Sequence, residues 1–334
     1  MVALAGAAAL AVVAACTSGH ASRPGARTPL QAGYQSTIAR ELPSVVEIEA
    51  GRATGSGVVL DRHGDIVTNA HVVGTVKKFV VRVSTTSQPL QARLIGEFTP
   101  DDLAVIRVKT DANDLRPAHW ANSAKAQVGQ IVLAMGAPYG LIDSVTQGIV
   151  SATGRIVTGP TIPGQPPTVI VDAVQTSAAI NPGNSGGALV LLSGRVLGIP
   201  TLTAEDPELG GAAEGIGFAV PANTVVDISR QLITTGKVSR SDRASLEITG
   251  ETHVNSSGRP DGVTVERAKP GGAAAVAGVK PADVIAGIAG QPAQDAAGLE
   301  SGLAGYRPGE RVRVEVLRDG NPREFIVTLG SLRS

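Results

Sequence analysis

The sequence predicts a mostly β protein in which two β-barrels precede a small α+β domain. From residue 34 to about residue 220, short runs of Val, Ile and Leu alternate with Gly, Pro and Asp, a spacing typical of β-barrels. Between residues 244 and 334 further short strands are interspersed with a short helix or turn predicted at 271–278 and a helix predicted at 295–306, which indicates a compact α+β module. Only 2% of the residues are aromatic, so the cores have to be built from aliphatic side chains.

Individual segments fit this architecture. Val, Glu and Ile alternate over residues 45–49, as in a half-buried strand, and residues 55–60 and 65–68 flank a turn and form a hairpin. Residues 221–236 place apolar side chains at helical spacing, with Asn223 as the predicted N-cap and a glycine as the stop signal. The polar residues 237–243 are then the linker between a domain at 34–236 and one at 244–334.

The N-terminal residues 1–16 have the apolar character of a secretory signal. Cys16 is the sole cysteine and follows this run as in a bacterial lipobox, so we expect it to carry a lipid; the alternative is a chance cysteine beside an ordinary cleavage site. Residues 17–33 are rich in Ser, Gly, Pro, Arg and Thr, which is typical of a flexible tether. The chain is therefore expected to be exported and anchored to a membrane by its lipid.

Composition excludes several other functions. The formal net charge is +0 and no basic run is visible, which argues against a nucleic-acid partner. With a single cysteine, no clustered histidines and no nucleotide-binding loop, the sequence implies neither a metal nor an organic cofactor.

A glycine-rich stretch at residues 181–187 carries the first chemical signal. Ser185 lies between glycines, where a hydroxyl is accessible to a substrate carbonyl. The backbone N–H groups of Gly183, Asn184 and Ser185 are the candidates for an oxyanion hole, which stabilises the charge that forms on that carbonyl. Taken alone, such a stretch is more often an ordinary turn.

Two upstream residues favour the catalytic interpretation. His71 ends an apolar strand-like run and is the candidate base, and Asp102 opens a predicted buried strand and is the candidate carboxylate, with Asp101 as its rival. The order His, Asp, Ser is that of the chymotrypsin-like double β-barrel. The G-x-S-x-G pattern also fits an α/β-hydrolase, but the runs that follow are short and His253 is the only histidine after Ser185.

Ordered motifs support a specific family. The chain contains GSGV at 55–58, VTNAHVV at 67–73, DLAVI at 102–106, SVTQGIVSA at 144–152, QTSAAINPGNSGG at 175–187 and IGFAVP at 216–221. In these motifs it resembles HtrA/DegP-family serine proteases that carry one C-terminal PDZ domain. The resemblance implies that His71 is the general base, Asp102 its orienting carboxylate and Ser185 the nucleophile.

The same resemblance implies a substrate class and further sites. The family degrades unfolded or damaged proteins outside the cytoplasm, usually as a homotrimer. Ile180 and Thr201 would line the substrate pocket, although plain core packing is an equal alternative for Ile180. The loop Ser245-Leu246-Glu247-Ile248 would bind peptides in the PDZ domain, with Glu247 standing where the family expects glycine. The remaining alternative is a chaperone-like or peptide-binding envelope protein whose protease site is normally inactive.

Overall fold

The computed structural model describes residues 28–84, 88–109, 115–137, 144–159, 168–181, 183–206 and 211–334, without the side chains of 202–206, 211, 212 and 214. The predicted signal segment 1–16, with Cys16, and residues 17–27 of the predicted tether lie outside this part of the chain. Among the described helices, none is long and apolar enough to cross a membrane.

The first described element is a helix, α1, over Pro29–Glu41. The Thr28 side chain accepts a hydrogen bond from the backbone N–H of Gln31 at 3.2 Å, and proline in the first turn lacks only an N–H that has no helical partner. The buried Thr37 hydroxyl donates to the carbonyl of Leu192 at 2.8 Å. The predicted tether 17–33 was therefore wrong for residues 29–33, which belong to helix α1. The Thr28 cap and the proline favour the start of the helix, and Thr37 binds it to Leu192 of the second barrel.

The first of the two predicted barrels has six strands. They are β1 (Val45–Ala50), β2 (Ala53–Val59), β3 (Asp65–Thr68), β4 (Lys78–Arg82), β5 (Leu90–Phe98) and β6 (Leu103–Val108). The barrel closes in the order β1-β2-β3-β6-β5-β4. A one-turn helix, α2 (Ala70–Val73), follows β3 at the rim.

The second barrel also has six strands. They are β7 (Ile131–Gly136), β8 (Ser144–Thr158), β9 (Val169–Thr176), β10 (Ala188–Leu191), β11 (Arg195–Asp206) and β12 (Gly211–Pro221), closed in the order β10-β11-β12-β9-β8-β7. The predicted mostly β double-barrel fold is confirmed. One buried apolar cluster contains Val58 and Val105 of the first barrel together with Met135 and Val190 of the second, so a shared core fixes the cleft between the barrels.

Helix α3 (Ala222–Thr235) follows the second barrel. Its buried face contributes Val225, Ile228 and Leu232 to the shared core, as predicted. The N-cap prediction was wrong: strand β12 runs up to Pro221, and the helix begins directly after it. Asn223 therefore lies in the first turn, where its Nδ2 donates to a neighbouring loop.

The linker 237–243 is partly buried, and its buried residues, Val238, Ser241 and Arg243, alternate with exposed ones. Val238 is buried in the shared core, and Arg243 is buried between Asp101 of the first barrel and Glu300 of the C-terminal domain, at 3.3 and 3.1 Å. The two domains are thus joined by a buried ion-pair cluster as well as by the chain.

The C-terminal domain is an α+β sheet, as predicted. Its elements are β13 (Ala244–Ser245), β14 (Ile248–Val254), β15 (Pro260–Ala268), α4 (Ala273–Ala277), β16 (Val284–Ile288), β17 (Gln291–Pro292), α5 (Ala296–Leu303), β18 (Arg311–Arg318), β19 (Asn321–Thr328) and β20 (Gly330–Ser331). Strands β14-β15-β16-β18-β19 form the main sheet, β17 pairs with β16, and β13 pairs with β20. A separate buried cluster fills this domain.

Candidate active site

His71 and Asp102 lie in direct contact at the rim of the first barrel. The His71 Nδ1 atom is 2.7 Å from Oδ2 of Asp102, and the His71 backbone N–H donates to Oδ1 at 2.9 Å. The Asn69 side chain and the Ala70 N–H both donate to the Asp102 carbonyl, at 3.0 and 3.1 Å. Strand β3 and helix α2 therefore deliver the imidazole to this carboxylate through several bonds that fix its orientation.

The backbone at Asp102 has the left-handed conformation, with φ of 52°. It ends a single 3₁₀ turn at Thr99–Asp101, and its N–H donates to the carbonyl of Thr99 at 3.0 Å. Aspartate tolerates this conformation better than most residues, which suits the position. The turn buries the carboxylate beside the ring, leaving the residue 4% exposed.

Asp101 points to a different partner. Its carboxylate is buried against the Arg243 guanidinium at 3.3 Å. Burial raises the pKa of Asp101 to about 6, while the charge and hydrogen bond of Arg243 oppose the shift. The residue that contacts His71 is thus Asp102, and its neighbour belongs to the contact between domains.

The His71 ring is electrostatically suited to carry a proton. Burial lowers its pKa, but the hydrogen bond and the charge of Asp102 together outweigh burial and raise the pKa above the ordinary value of 6.5. The Asp102 carboxylate therefore stabilises the imidazolium form, and it also fixes Nδ1 as the protonated nitrogen of the neutral ring. Nε2 is then the atom that can accept a proton from a nucleophile.

Thr201 lies against the carboxylate. Its side chain is buried, and its hydroxyl donates a hydrogen bond to Oδ2 of Asp102. Thr201 therefore contacts the His71–Asp102 pair directly, through the carboxylate oxygen that faces the ring. Its role in a substrate pocket stays a prediction. The sequence carried no signal for this contact, because it joins strand β11 of the second barrel to a turn of the first.

We expect loss of this hydroxyl to weaken the His71–Asp102 pair. A hydrogen bond to a charged group contributes roughly 1.5–3 kcal/mol, so Thr201→Val should lower kcat/KM for peptide hydrolysis by about tenfold or more, and Thr201→Ser should restore most of it. Thr37→Val, which removes another buried hydroxyl far from the cleft, is the control and should leave kcat/KM unchanged. Equal losses in the Thr201 and Thr37 variants would contradict this role.

The loop that carries Ser185 is fixed to both barrels. The Ser185 carbonyl accepts from the N–H of Ser56 at 3.0 Å, and the Gly186 N–H donates to the carbonyl of Pro200 at 3.1 Å. Because Pro200 precedes Thr201, this bond brings the loop to the strand that contacts Asp102. The loop of Ser185 therefore contacts both strand β2 of the first barrel and the strand whose Thr201 contacts Asp102.

The candidate oxyanion hole is smaller than predicted. The Asn184 N–H donates to the carbonyl of Asn181 at 3.0 Å, so it is already used inside the turn. Within the described residues, the N–H groups of Gly183 and Ser185 donate to no protein acceptor. Gly183 has φ of 106°, which a residue with a side chain would rarely adopt.

The Ser185 hydroxyl and the His71 ring are not hydrogen-bonded to each other in the described part of the chain. The His71–Asp102 half of the arrangement is therefore assembled, while the contact to the serine is open. Catalytic hydrogen bonds are often long or unformed before substrate binds, so this geometry is compatible with a resting enzyme.

Ile180 is buried in the core of the second barrel. It packs with Val174 and Leu189, and a Cβ atom on Gly217 would lie only 2.4 Å from its Cγ1. Of the two interpretations that the sequence left open, these contacts favour core packing.

The Glu247 carboxylate, in the loop at the start of the C-terminal domain, is bound by groups of the same domain. Glu247 has φ of 54°, the left-handed conformation that favours glycine at this position. Its carboxylate accepts from Lys269 Nζ at 2.7 Å and from the N–H of Ala273 at 3.1 Å. The Lys269 bond is the main cause that lowers the pKa of Glu247. Leu246 is buried, and the Ser245 hydroxyl accepts from the Glu247 N–H, while Ile248 begins β14.

No group of three or more His, Cys, Asp or Glu in the described ranges is arranged to hold a metal ion.

Comparison with known proteins agrees with this geometry. The model of the trypsin-like peptidase domain matches residues 55–199, and that of the PDZ domain matches residues 237–329. The serine endoprotease DegS of Salmonella typhimurium is 35% identical over 315 residues, which cover 89% of this chain and 86% of that protein. The chain belongs to the HtrA/DegP family of serine proteases.

Other members of the family match over most of this chain. A probable periplasmic DegP-like serine endoprotease of Pseudomonas putida is 35% identical over 84% of this chain, which spans 57% of the length of that relative. The crystal structure of a serine endoprotease from Yersinia pestis has a TM-score of 0.57 at 33% identity and covers 90% of this chain and 98% of its own. The HtrA-type protease AlgW with a decapeptide has the same TM-score at 28% identity, with the same coverage of both chains.

Proposed function

We propose that this family member is an exported serine endopeptidase that degrades unfolded or damaged proteins. The observation that carries the proposal is the 2.7 Å contact between His71 Nδ1 and Asp102 in the cleft where Ser185 lies. A base, an orienting carboxylate and a nucleophilic hydroxyl are the groups that acyl transfer requires, and free N–H groups accompany them. Family membership supports the same reaction class.

In the proposed reaction, Ser185 Oγ attacks the carbonyl carbon of the scissile peptide and transfers its proton to Nε2 of His71. The N–H groups of Gly183 and Ser185 donate to the oxyanion that forms. The C–N bond then breaks, and His71 returns the proton to the leaving amine. A water molecule repeats the sequence on the acyl-enzyme, with His71 again as the base, and releases the carboxylic acid and Ser185.

Asp102 has two roles in this scheme. It keeps the proton of the neutral ring on Nδ1, and its negative charge stabilises the imidazolium that exists between the two proton transfers. The raised pKa of His71 reflects the second role. The Thr201 hydroxyl, in turn, donates to the carboxylate oxygen that faces the ring.

Location and assembly are parts of the same proposal. The relatives named periplasmic and the apolar residues 1–16 support export, and Cys16 supports a lipid anchor on the outer face of the cytoplasmic membrane. Strands β1 and β2 are joined by only Gly51 and Arg52, which leaves no room there for a long loop that links protomers into a cage. We therefore propose a homotrimer as the assembled form.

A second candidate function is a chaperone-like envelope protein with an inactive protease site. The hydrogen bond that Ser185 and His71 do not form in the described residues is compatible with this function as it is with a resting enzyme. Such a protein would bind unfolded chains without cleaving them.

The test compares the full chain with its Ser185→Ala variant on fluorescein-labelled casein, a protein without a stable fold. We expect the parent to release fluorescent peptides and the variant to lose this activity by a factor of 10⁴ or more. Both forms should also be assayed for suppression of aggregation of a heat-unfolded protein. Suppression by both, without cleavage by the parent, would contradict the protease and support the chaperone-like alternative.

A further inference from the structure

Ser56, on strand β2 of the first barrel, contacts the nucleophile loop of the second barrel at two points. Its hydroxyl donates to the carbonyl of Gly183 at 2.5 Å, and its backbone N–H donates to the carbonyl of Ser185 at 3.0 Å. The side chain is completely buried. One residue of the first barrel therefore binds the carbonyls of Gly183 and Ser185, whose N–H groups donate to no acceptor among the described residues.

The Ser56 hydroxyl is also an acceptor. The N–H of Ala137, directly after strand β7, donates to the same Oγ at 2.8 Å. This bond fixes the direction of the hydroxyl hydrogen, since the lone pair that faces Ala137 leaves the proton for Gly183. The carbonyl of Ser56 accepts in turn from the Thr68 hydroxyl at 2.7 Å, so its backbone is held by the strand that leads to His71.

The hydrogen bond from the Ser56 hydroxyl to the Gly183 carbonyl restricts the backbone of Gly183. Gly183 has φ of 106° and no side chain, so its backbone can rotate more freely than that of other residues. Hydrogen bonds from neighbouring residues are therefore needed to fix the orientation of its peptide planes. The peptide between Gly183 and Asn184 is fixed at its carbonyl by Ser56 and at its N–H by Asn181. The Gly183 N–H belongs to the preceding peptide, so these two bonds act on it indirectly, by holding the peptide that follows and the Gly183 Cα that joins the two.

We propose that Ser56 is a positioning residue for the oxyanion hole, through which the first barrel keeps the Gly183 and Ser185 N–H groups in the geometry that stabilises the transition state. The inference rests on the proposed protease function. Ser56 contacts neither the substrate carbonyl nor the reacting atoms, and it acts through the loop.

The test uses full-chain Ser56→Ala, with Ser44→Ala as the matched control. Ser44 is also a buried serine whose hydroxyl donates to a backbone carbonyl at 2.5 Å, that of Glu41, far from the cleft. Removing one oxyanion donor lowers kcat by about 10²–10³, so loss of a support for such donors should lower it by about 10–100-fold. We expect kcat on labelled casein to fall by this factor in Ser56→Ala with KM within twofold, and neither to change in Ser44→Ala.

The affinity for a transition-state analogue distinguishes a loss of oxyanion-hole geometry from a general loss of stability. A peptide boronic acid with valine at the boron-bearing position forms a tetrahedral adduct on the nucleophile, so its affinity should fall by the same factor as kcat. Ser56→Cys keeps a weak donor of similar shape and should lie between the parent and Ser56→Ala, which also provides a second variant if the alanine form does not fold.

Several outcomes would overturn the inference. They are an unchanged boronate affinity, a loss in KM instead of kcat, and equal losses in the Ser56 and Ser44 variants. A fully active Ser56→Ala form beside an active parent would overturn this inference alone. A parent that shows no cleavage dependent on Ser185 would overturn the proposed function and this inference together.

Discussion

Replacing Asp102 with asparagine is expected to lower kcat/KM for casein cleavage by about 10⁴. The buried amide would keep the shape of the carboxylate but lose the charge that stabilises protonated His71, and its NH₂ group favours the wrong tautomer of the ring. The measurement is kcat/KM of the purified full chain near pH 8. Asp65→Asn removes another buried carboxylate of the first barrel, paired with Arg107 at 2.7 Å, and its folded fraction should retain the parent activity.

The pH dependence of casein cleavage tests the role of Asp102 in a second way. His71 acts as a base only when it is neutral, so activity should rise with pH through the pKa of His71, which is raised from its ordinary value in the parent. Both contributions that raise this pKa come from Asp102, whereas burial lowers it. The residual activity of Asp102→Asn should therefore rise at a lower pH than that of the parent. A profile that stays in place, or a loss below tenfold, would contradict the assigned role of Asp102.

Gly186→Ala is expected to have the second largest effect, on stability as well as on activity. Gly186 has φ of 81°, and a Cβ atom there would lie 2.2 Å from the Ser56 carbonyl oxygen and 2.4 Å from the Thr68 hydroxyl. The left-handed backbone alone costs about 1–2 kcal/mol for a residue with a side chain. Displacement of the loop from Ser56 should bring the loss in free energy of unfolding to about 3 kcal/mol or more, with cleavage reduced at least a hundredfold.

Gly154→Ala is the matched control for this prediction. Gly154 also belongs to the second barrel and has φ of 71°, but a Cβ atom there would meet nothing within 4 Å. Its variant should lose only the backbone contribution and retain activity. Urea unfolding and casein cleavage of the two variants provide the comparison, and equal losses of stability would show that the close approach to Ser56 has no effect of its own.

The strands and the candidate triad were predictable because their signals are local. Apolar alternation marks each strand, and the chain order of His71, Asp102 and Ser185 favours a double barrel. The sequence left Asp101 and Asp102 as rivals, since only the left-handed turn at Asp102 decides which carboxylate faces the ring. The start of helix α3 was also predicted incorrectly. Asn223 is a residue type that favours the N-cap, but strand β12 extends to Pro221 and the helix begins directly after it.

Contacts between the barrels could not be predicted. Thr201 and Ser56 both act on residues more than ninety positions away, across an interface that forms only when both barrels have folded. The use of the Asn184 N–H was missed for a different reason, because it depends on the exact geometry of a local turn, in which that N–H donates to the Asn181 carbonyl. Likewise, nothing in the sequence showed that Lys269 and the Ala273 N–H would hold the Glu247 carboxylate inside its domain.

The most direct test of the account is the position of the activated nucleophile. The full chain is incubated with a fluorophosphonate, which esterifies serine hydroxyls activated by a base, and the adduct is mapped by peptide mass spectrometry. We expect one rapid adduct, on Ser185, with its rate reduced by several orders of magnitude in His71→Ala. An adduct on another serine, or labelling of Ser185 at the parent rate in His71→Ala, would contradict this expectation.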